Sequence, residues 1–343
     1  MNQNPLLEIK NLKTYFPIKA GVFKTTVGHI RAVDDISLTI YKGETLGIVG
    51  ESGCGKTTLC KSIVMLNNPV SGEIQYYSNS ESFRIPCINK SDMDKARRKI
   101  QYIFQDPQSS LNPVFTVFGS MNDVLRLRGV KKKKERRKIV GDLLEAVNMR
   151  RDQLDDYPHE FSGGQRQRIG IARALCVNPE LVICDEAVSA LDVSIQAQVL
   201  QLLKKFKEER NLTYIFVTHN LAVVEYVSDR IAVMYLGKVV ELADTDDLFK
   251  NMFHPYTKAL CSAIPVADIN AKKNKIVLTG DVPNPANPPS GCPFHPRCLN
   301  CFEKCKTDVP KLRKYKVNGK DYFVACHLAH NQLKEKEIQE DLK

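Results

Sequence analysis

Nine consecutive residues carry the clearest chemistry: Gly50-Glu51-Ser52-Gly53-Cys54-Gly55-Lys56-Thr57-Thr58. They fit G-x-x-x-x-G-K-S/T, the phosphate-binding loop. Glycines let backbone N–H groups close around phosphate oxygens, and the helix that follows adds the positive end of its dipole. In this pattern Lys56 reaches the β- and γ-phosphates of a nucleotide, and the Thr57 hydroxyl ligates Mg²⁺. A chance glycine-rich turn is the plain alternative. The context speaks against it, because Thr45 to Val49 reads as a short buried strand and Leu59 to Val64 as the start of a helix.

A second group of residues sits where apolar runs end. Asp185 and Glu186 follow Leu181-Val182-Ile183-Cys184, Gln105 follows Ile100 to Phe104, and His219 follows Tyr214 to Thr218. Asp185 can hold Mg²⁺, directly or through a water. Glu186 can orient and polarise the water that attacks a γ-phosphate. An acidic surface turn is the alternative, but the pair precedes Ser189-Ala190-Leu191-Asp192 rather than an open polar loop. A third group, Ser162-Gly163-Gly164-Gln165, opens a helix through Ile169, Ile171, Ala172 and Leu175. Ser162 is a good N-cap there, and the glycines permit close approach of a phosphate.

The elements that must position these groups follow from periodicity. Strands apolar on both faces and alternating with helices imply an α/β fold with a parallel sheet covered on both sides. Such sheets bind ligands at the carboxyl ends of their strands, where the phosphate loop, Gln105, Asp185, Glu186 and His219 all fall. Leu6 to Lys10 begins an N-terminal strand, and Ala32 to Ile40 alternates as a half-buried one. Residues 17–30 read as a loop-like insertion and 78–92 as polar and irregular. The pattern is helical over about 106–175, with Ile139, Leu143, Leu144 and Val147 on one face. Ile231 to Glu241 reads as a hairpin turning at Gly237. The expected division is 1–250, then a cysteine-rich region 251–330 with little core of its own, then a charged, fraying tail 331–343.

Composition sets the frame. The 343 residues are 43% hydrophobic and 26% charged, an ordinary globular balance. No apolar run nears the roughly 20 residues that span a bilayer, and the N-terminus lacks a signal-peptide pattern. The expected location is therefore the cytosol, with any membrane work done through partner subunits. Net charge is +11, much of it in Lys131 to Lys138. That run could bind nucleic acid or anionic lipid, or be a solvated helix start. No aromatic residues interleave with it, which weakens the nucleic-acid reading. Of 11 cysteines, Cys54, Cys60, Cys87, Cys176, Cys184 and Cys261 are scattered, while Cys292, Cys298, Cys301, Cys305 and Cys326 crowd near the end. In a cytosolic protein such crowding points to metal rather than disulfides.

Taken together, the chain resembles the nucleotide-binding subunit of an ATP-binding cassette (ABC) transporter over about residues 5–250. The resemblance implies a P-loop ATPase with an N-terminal antiparallel β subdomain and an inserted helical subdomain. It implies that Phe16 stacks on adenine, with Tyr15 the lesser candidate. It makes Gln105 a Mg²⁺ sensor linked to the membrane subunits and His219 a γ-phosphate contact. It implies two ATP molecules sandwiched in a dimer, each completed by the signature Ser162 to Gln165 of the other subunit. Phe104 to Pro113, Ser189 to Gln198, His254-Pro255-Tyr256 and Asn287 to Cys292 are similar to the oligopeptide and dipeptide importers. The insertion at 17–30 is similar to their second, F-type ATPase subunit. The implied partners are a sibling ATPase, two permeases and, indirectly, an extracytoplasmic binding protein, at the cytoplasmic face of the membrane and without nucleic acid. A soluble cassette ATPase acting on nucleic acid or ribosomes is the alternative. Ala187 departs from the importer pattern, which has proline there, and implies a less rigid turn.

The cysteine segment admits free thiols, zinc or an iron–sulfur cluster. Structural zinc sites use close C-x₂₋₄-C pairs, which here all involve Cys301. Gly291 to Cys298 and Ala325-Cys326-His327 resemble the importer segment that carries a 4Fe-4S cluster. The resemblance implies Cys292, Cys298, Cys305 and Cys326 as ligands and leaves Cys301 out, with zinc as the alternative metal.

Overall fold

The computed structural model describes residues 4–78, 81–86, 90–106, 110–263 and 276–333. Cys87 and residues 107–109 of the Phe104 to Pro113 stretch lie outside them, as does the tail from 334.

The N-terminal layer is a four-stranded antiparallel sheet. Its strands are β1 (Pro5–Ala20), β2 (Thr25–Tyr41), β4 (Ser71–Tyr77) and β5 (Ser82–Ile85), in the order β2-β1-β4-β5. The larger sheet has eight strands. It contains β3 (Thr45–Val49), β6 (Ile100–Ile103), β7 (Leu181–Asp185), β8 (Thr213–Val217), β9 (Arg230–Tyr235), β10 (Lys238–Asp244), β11 (Arg313–Val317) and β12 (Lys320–Val324). Their order is β11-β12-β10-β9-β3-β8-β7-β6, parallel from β9 to β6 and antiparallel from β9 outward.

Every residue of β3, β7 and β8 is buried, as their apolar runs require. Successive side chains point to opposite faces, so each strand feeds two cores. Leu181, Ile183, Ile215 and Val217 join Ile9, Val33, Ile36 and Ile74 of the N-terminal sheet. Val182, Cys184, Tyr214 and Phe216 join the helices of the other face. Those helices include α3 (Val117–Leu127), α4 (Lys133–Ala146), α5 (Gly163–Leu175) and α6 (Val193–Arg210). On the first face lie α1 (Lys56–Ile63) and α2 (Lys90–Lys99), followed later in the chain by α7 (Leu221–Val227), α8 (Thr245–Asn251), α9 (Pro255–Ser262) and α10 (Glu303–Thr307).

Several sequence expectations need correcting. Residues 17–30 are not a loop. They form the distal half of the β1–β2 hairpin, with Pro17 paired to His29 and Ala20 to Thr25. Almost all of these side chains are exposed, so no buried stripe marked the strands. Residues 78–92 include strand β5, whose Phe83 and Ile85 are buried. Helix α1 opens at Lys56, three residues earlier than its apolar pattern suggested. The basic run does open a helix, α4, with Lys131 to Lys134 exposed. Yet Arg136 is buried, donating to Asn122 Oδ1, Val130 O and Lys131 O, and Arg137 forms a fork onto Asp155.

The C-terminal region does have a core, shared with the cassette. The β11–β12 hairpin extends the large sheet through β12 and β10. Tyr235, Val240, Tyr256, Phe294, Tyr322 and Val324 pack in one cluster. Buried Glu241 ties it together, accepting from the Phe253 N–H at 2.7 Å and the Tyr322 hydroxyl at 2.5 Å. The charged tail also begins later than expected, since residues 327–333 are helical and Leu333 is buried.

Candidate functional site

The phosphate loop runs from the end of β3 to the first residue of α1. Gly50 and Gly55 both have positive φ, at 152° and 101°. A Cβ would lie 2.2 Å from the Met234 carbonyl oxygen at Gly50 and 1.9 Å from that of Ala32 at Gly55. The neighbouring backbone therefore excludes any side chain at either position. Lys56 is buried, and its ammonium donates to the carbonyls of Gly50 at 2.8 Å and Glu51 at 2.9 Å. It thus lies folded over the loop whose phosphate it would meet. Ser52, Gly53 and Cys54 complete the turn, with the Cys54 N–H donating to the Glu51 carbonyl at 3.3 Å, and Thr58 lies in the first turn of α1.

Thr57 faces the acidic strand end. Its hydroxyl donates to Asp185 Oδ1 at 3.1 Å, and the Tyr102 hydroxyl donates to Oδ2 at 2.6 Å. Burial raises the Asp185 carboxyl above its usual range, against the opposing pull of these two bonds. Thr57 and Asp185 together offer the hard oxygen donors that Mg²⁺ takes. Glu186 follows in left-handed backbone, φ 47°, fixed by its N–H on the Val217 carbonyl at 2.8 Å. Its carboxylate accepts from Gln105 Nε2 at 2.7 Å and faces His219 Nδ1 at 3.4 Å. Four of the strand-end residues named from the sequence thus converge. Ala187 is buried, and the turn is held by Ser189, whose N–H and hydroxyl both donate to the Glu186 carbonyl.

The signature lies elsewhere. Ser162 caps α5: its hydroxyl accepts from the Gln165 N–H, and the Gln165 side chain accepts from the Ser162 N–H at 2.9 Å. Gly163 has open space at its Cβ position, whereas Gly164 packs against Ile195 of α6. Among the described residues no hydrogen bond joins this turn to the phosphate loop. Phe16 presents a ring 38% exposed on β1, while the Tyr15 hydroxyl is spent on Asp34 at 2.6 Å.

Three contacts were not anticipated. Tyr102 on Asp185 lies inside a strand, where an aromatic residue reads as packing. Arg297 and Tyr256 both hold Glu51 of the phosphate loop. Their separation in sequence, 246 and 205 residues, left no local signal.

Cys292, Cys298, Cys305 and Cys326 line one small cavity, together with His254, Phe294 and His327. Cys301 is not part of that lining. Burial, with a push from the charges of Cys326, Cys305 and Cys298, raises the Cys292 thiol to about 12. Among the described residues no three His, Cys, Asp or Glu side chains are arranged to hold a single metal ion. His254 Nδ1 accepts from the Tyr256 N–H, while buried Nε2 has no partner among the described residues.

Residues 33–189 match the ABC transporter family model, and residues 240–305 match that of the oligopeptide/dipeptide transporter C-terminal region. The oligopeptide transport ATP-binding protein AppF of Bacillus subtilis is 48% identical over 330 residues, 95% of this chain and 98% of that one. The probable peptide ABC transporter ATP-binding protein y4tS of Sinorhizobium fredii is 46% identical, over 94% and 90%. Among solved structures, a dimeric post-hydrolysis state of the ATP-binding cassette MJ0796 with ADP and Pi is similar, with a TM-score of 0.60 and 30% identity. It covers 70% of this chain and 98% of its own. With the assembled site and this likeness over nearly its whole length, the chain belongs to the family of ABC transporter ATP-binding proteins and is an ATPase.

Proposed function

We propose that this chain powers import of oligopeptides or dipeptides across the cytoplasmic membrane. The carrying observation is that likeness to peptide-transport ATP-binding proteins extends beyond the cassette through residues 240–305. Lys56 and the loop N–H groups of residues 50–58 bind the phosphates, and Phe16 stacks on the adenine. Thr57, Asp185 and Gln105 hold Mg²⁺, which neutralises charge on the phosphates. Glu186 takes the proton of the attacking water, and His219 and Gln105 orient around it.

The division at 250 is functional in this reading. Residues 1–250 carry the ATPase, with its helical subdomain at about 106–175, and 251–330 hold a metal centre. The donor chemistry fits a 4Fe-4S cluster: four thiols line one cavity, and four Cys thiolates are the ligands such a cluster takes. His254, whose buried Nε2 has no partner among the described residues, lines the same cavity. Because Ser162 to Gln165 lie apart from the phosphate loop, a second cassette supplies the signature for this site. That partner is a sibling ATPase, and the pair docks on two permeases at the cytoplasmic face, served by an extracytoplasmic binding protein. The relatives' names do not favour the nucleic-acid alternative.

Vesicles holding the chain with its sibling, both permeases and the binding protein test the reading. ATP-dependent accumulation of labelled oligopeptide is expected, and Lys56→Ala should abolish it. Uptake of nickel but not peptide would overturn the cargo, and full-rate hydrolysis by the lone monomer would overturn the assembly.

A further inference from the structure

Glu51 is gripped at both ends by residues outside the phosphate-loop motif. Arg297 Nη1 donates to its Oε2 at 2.7 Å and Nη2 to its Oε1 at 3.1 Å. The Glu51 N–H donates to the Tyr256 hydroxyl at 2.8 Å. Its carbonyl accepts from Lys56. A single loop residue therefore joins the C-terminal region to the loop lysine.

The Arg297 side chain is only 7% exposed, and it closes the short turn His295–Arg297 just before Cys298. Phe294 fixes that turn, with its ring centroid 5.3 Å from those of both Tyr235 and Tyr256. A carboxylate at the head of a phosphate loop opposes a polyanionic ligand unless a cation neutralises it. The planar guanidinium fork both neutralises Glu51 and sets its orientation, whereas a lysine would supply the charge without the bidentate geometry.

We propose that Arg297 is a positioning residue for ATP. It cancels the charge of Glu51 and fixes that side chain, and so makes nucleotide affinity depend on the cysteine-bearing turn. The proposal rests on residues 50–58 being the nucleotide site.

The test is calorimetric titration of the full-length chain with ATP and ADP, alongside thermal melting. Arg297→Gln should weaken ATP binding about tenfold, within the range usual for coupling between two sites. The loss should be larger for ATP than for ADP and should shrink at high salt, since it comes from an uncancelled charge. Adding Glu51→Gln to Arg297→Gln removes the repelling carboxylate and should restore most of the affinity. If Arg297→Gln does not fold, Arg297→Lys, which keeps charge but not the fork, replaces it with an intermediate loss expected. Unchanged ATP affinity while Lys56→Ala loses it would overturn the proposal alone. A loss that Glu51→Gln does not rescue would also overturn it. No loss with Lys56→Ala either would overturn the site reading itself.

Discussion

Glu186 sits between Gln105 and His219 in a backbone conformation few non-glycine residues adopt. The strain is tolerated because the N–H bond to Val217 and the Ser189 turn hold it. Replacing the carboxylate by an amide keeps the shape but removes the base proposed here. Glu186→Gln in the assembled transporter should keep ATP binding and lower the hydrolysis rate by about a hundredfold or more, the usual weight of a general base. Wild-type turnover in that variant would remove Glu186 from the role. Its position was legible because the sequence shows a carboxylate directly after an all-apolar strand, and Gln105 and His219 follow the same rule. Tyr102 was not legible, because an aromatic residue within a strand carries no mark of the hydroxyl bond it makes to Asp185.

Glu180 does for the two sheets what Glu186 does for the site. It accepts from Tyr76 of β4 and from Ser78 just beyond it, each at 3.0 Å, and pairs with Lys99 at the end of α2. Its backbone enters β7, and its carbonyl accepts from Thr213 of β8. Burial pushes the carboxyl up, but bonds from Lys99, Ser78 and Tyr76 outweigh that and hold it below its usual range. A carboxylate depressed in the folded state stabilises above its unfolded pKa and loses that contribution as pH falls. Glu180→Gln should therefore cost about 1–2 kcal/mol near neutral pH, as for a hydrogen-bonded charge. In denaturant melts the gap between variant and parent should close below about pH 4. A gap independent of pH would show that packing, not the charge, carries the effect. Elements with a buried face were legible: β3, β7 and β8 from apolar runs, β2 from alternation. The distal β1–β2 hairpin is held by its ladder with nearly every side chain in solvent, so its residues 17–30 show no period.

At the scale of the whole molecule, the cysteine-bearing region joins the cassette through a shared core and the Arg297–Glu51 ion pair. Tyr235 and Val240 of the cassette strands share a cluster with Phe294, Tyr322 and Cys326. Arg297 reaches back to Glu51. Sequence reasoning placed the cysteines in a region with little core, because β11 and β12 alternate weakly and their contacts are distant in the chain. The shared core changes what loss of the proposed cluster should do. A segment with no core would unfold without its cross-links. Here the cassette should stay folded while the cysteine turn loosens. Anaerobically purified full-length chain should be brown, with a thiolate-to-iron absorption band, and Cys292→Ser or Cys326→Ser should bleach it. Chelation should lower the melting temperature of the C-terminal region while far-ultraviolet circular dichroism keeps the strand and helix signal of the rest. ATP affinity should fall with it, because Arg297 rides on the turn between Cys292 and Cys298. Colourless anaerobic protein with stoichiometric zinc would overturn iron but keep the ligands. Protein with no metal at all would overturn both, and wholesale unfolding on chelation would show that the shared core does not stand without its cross-links.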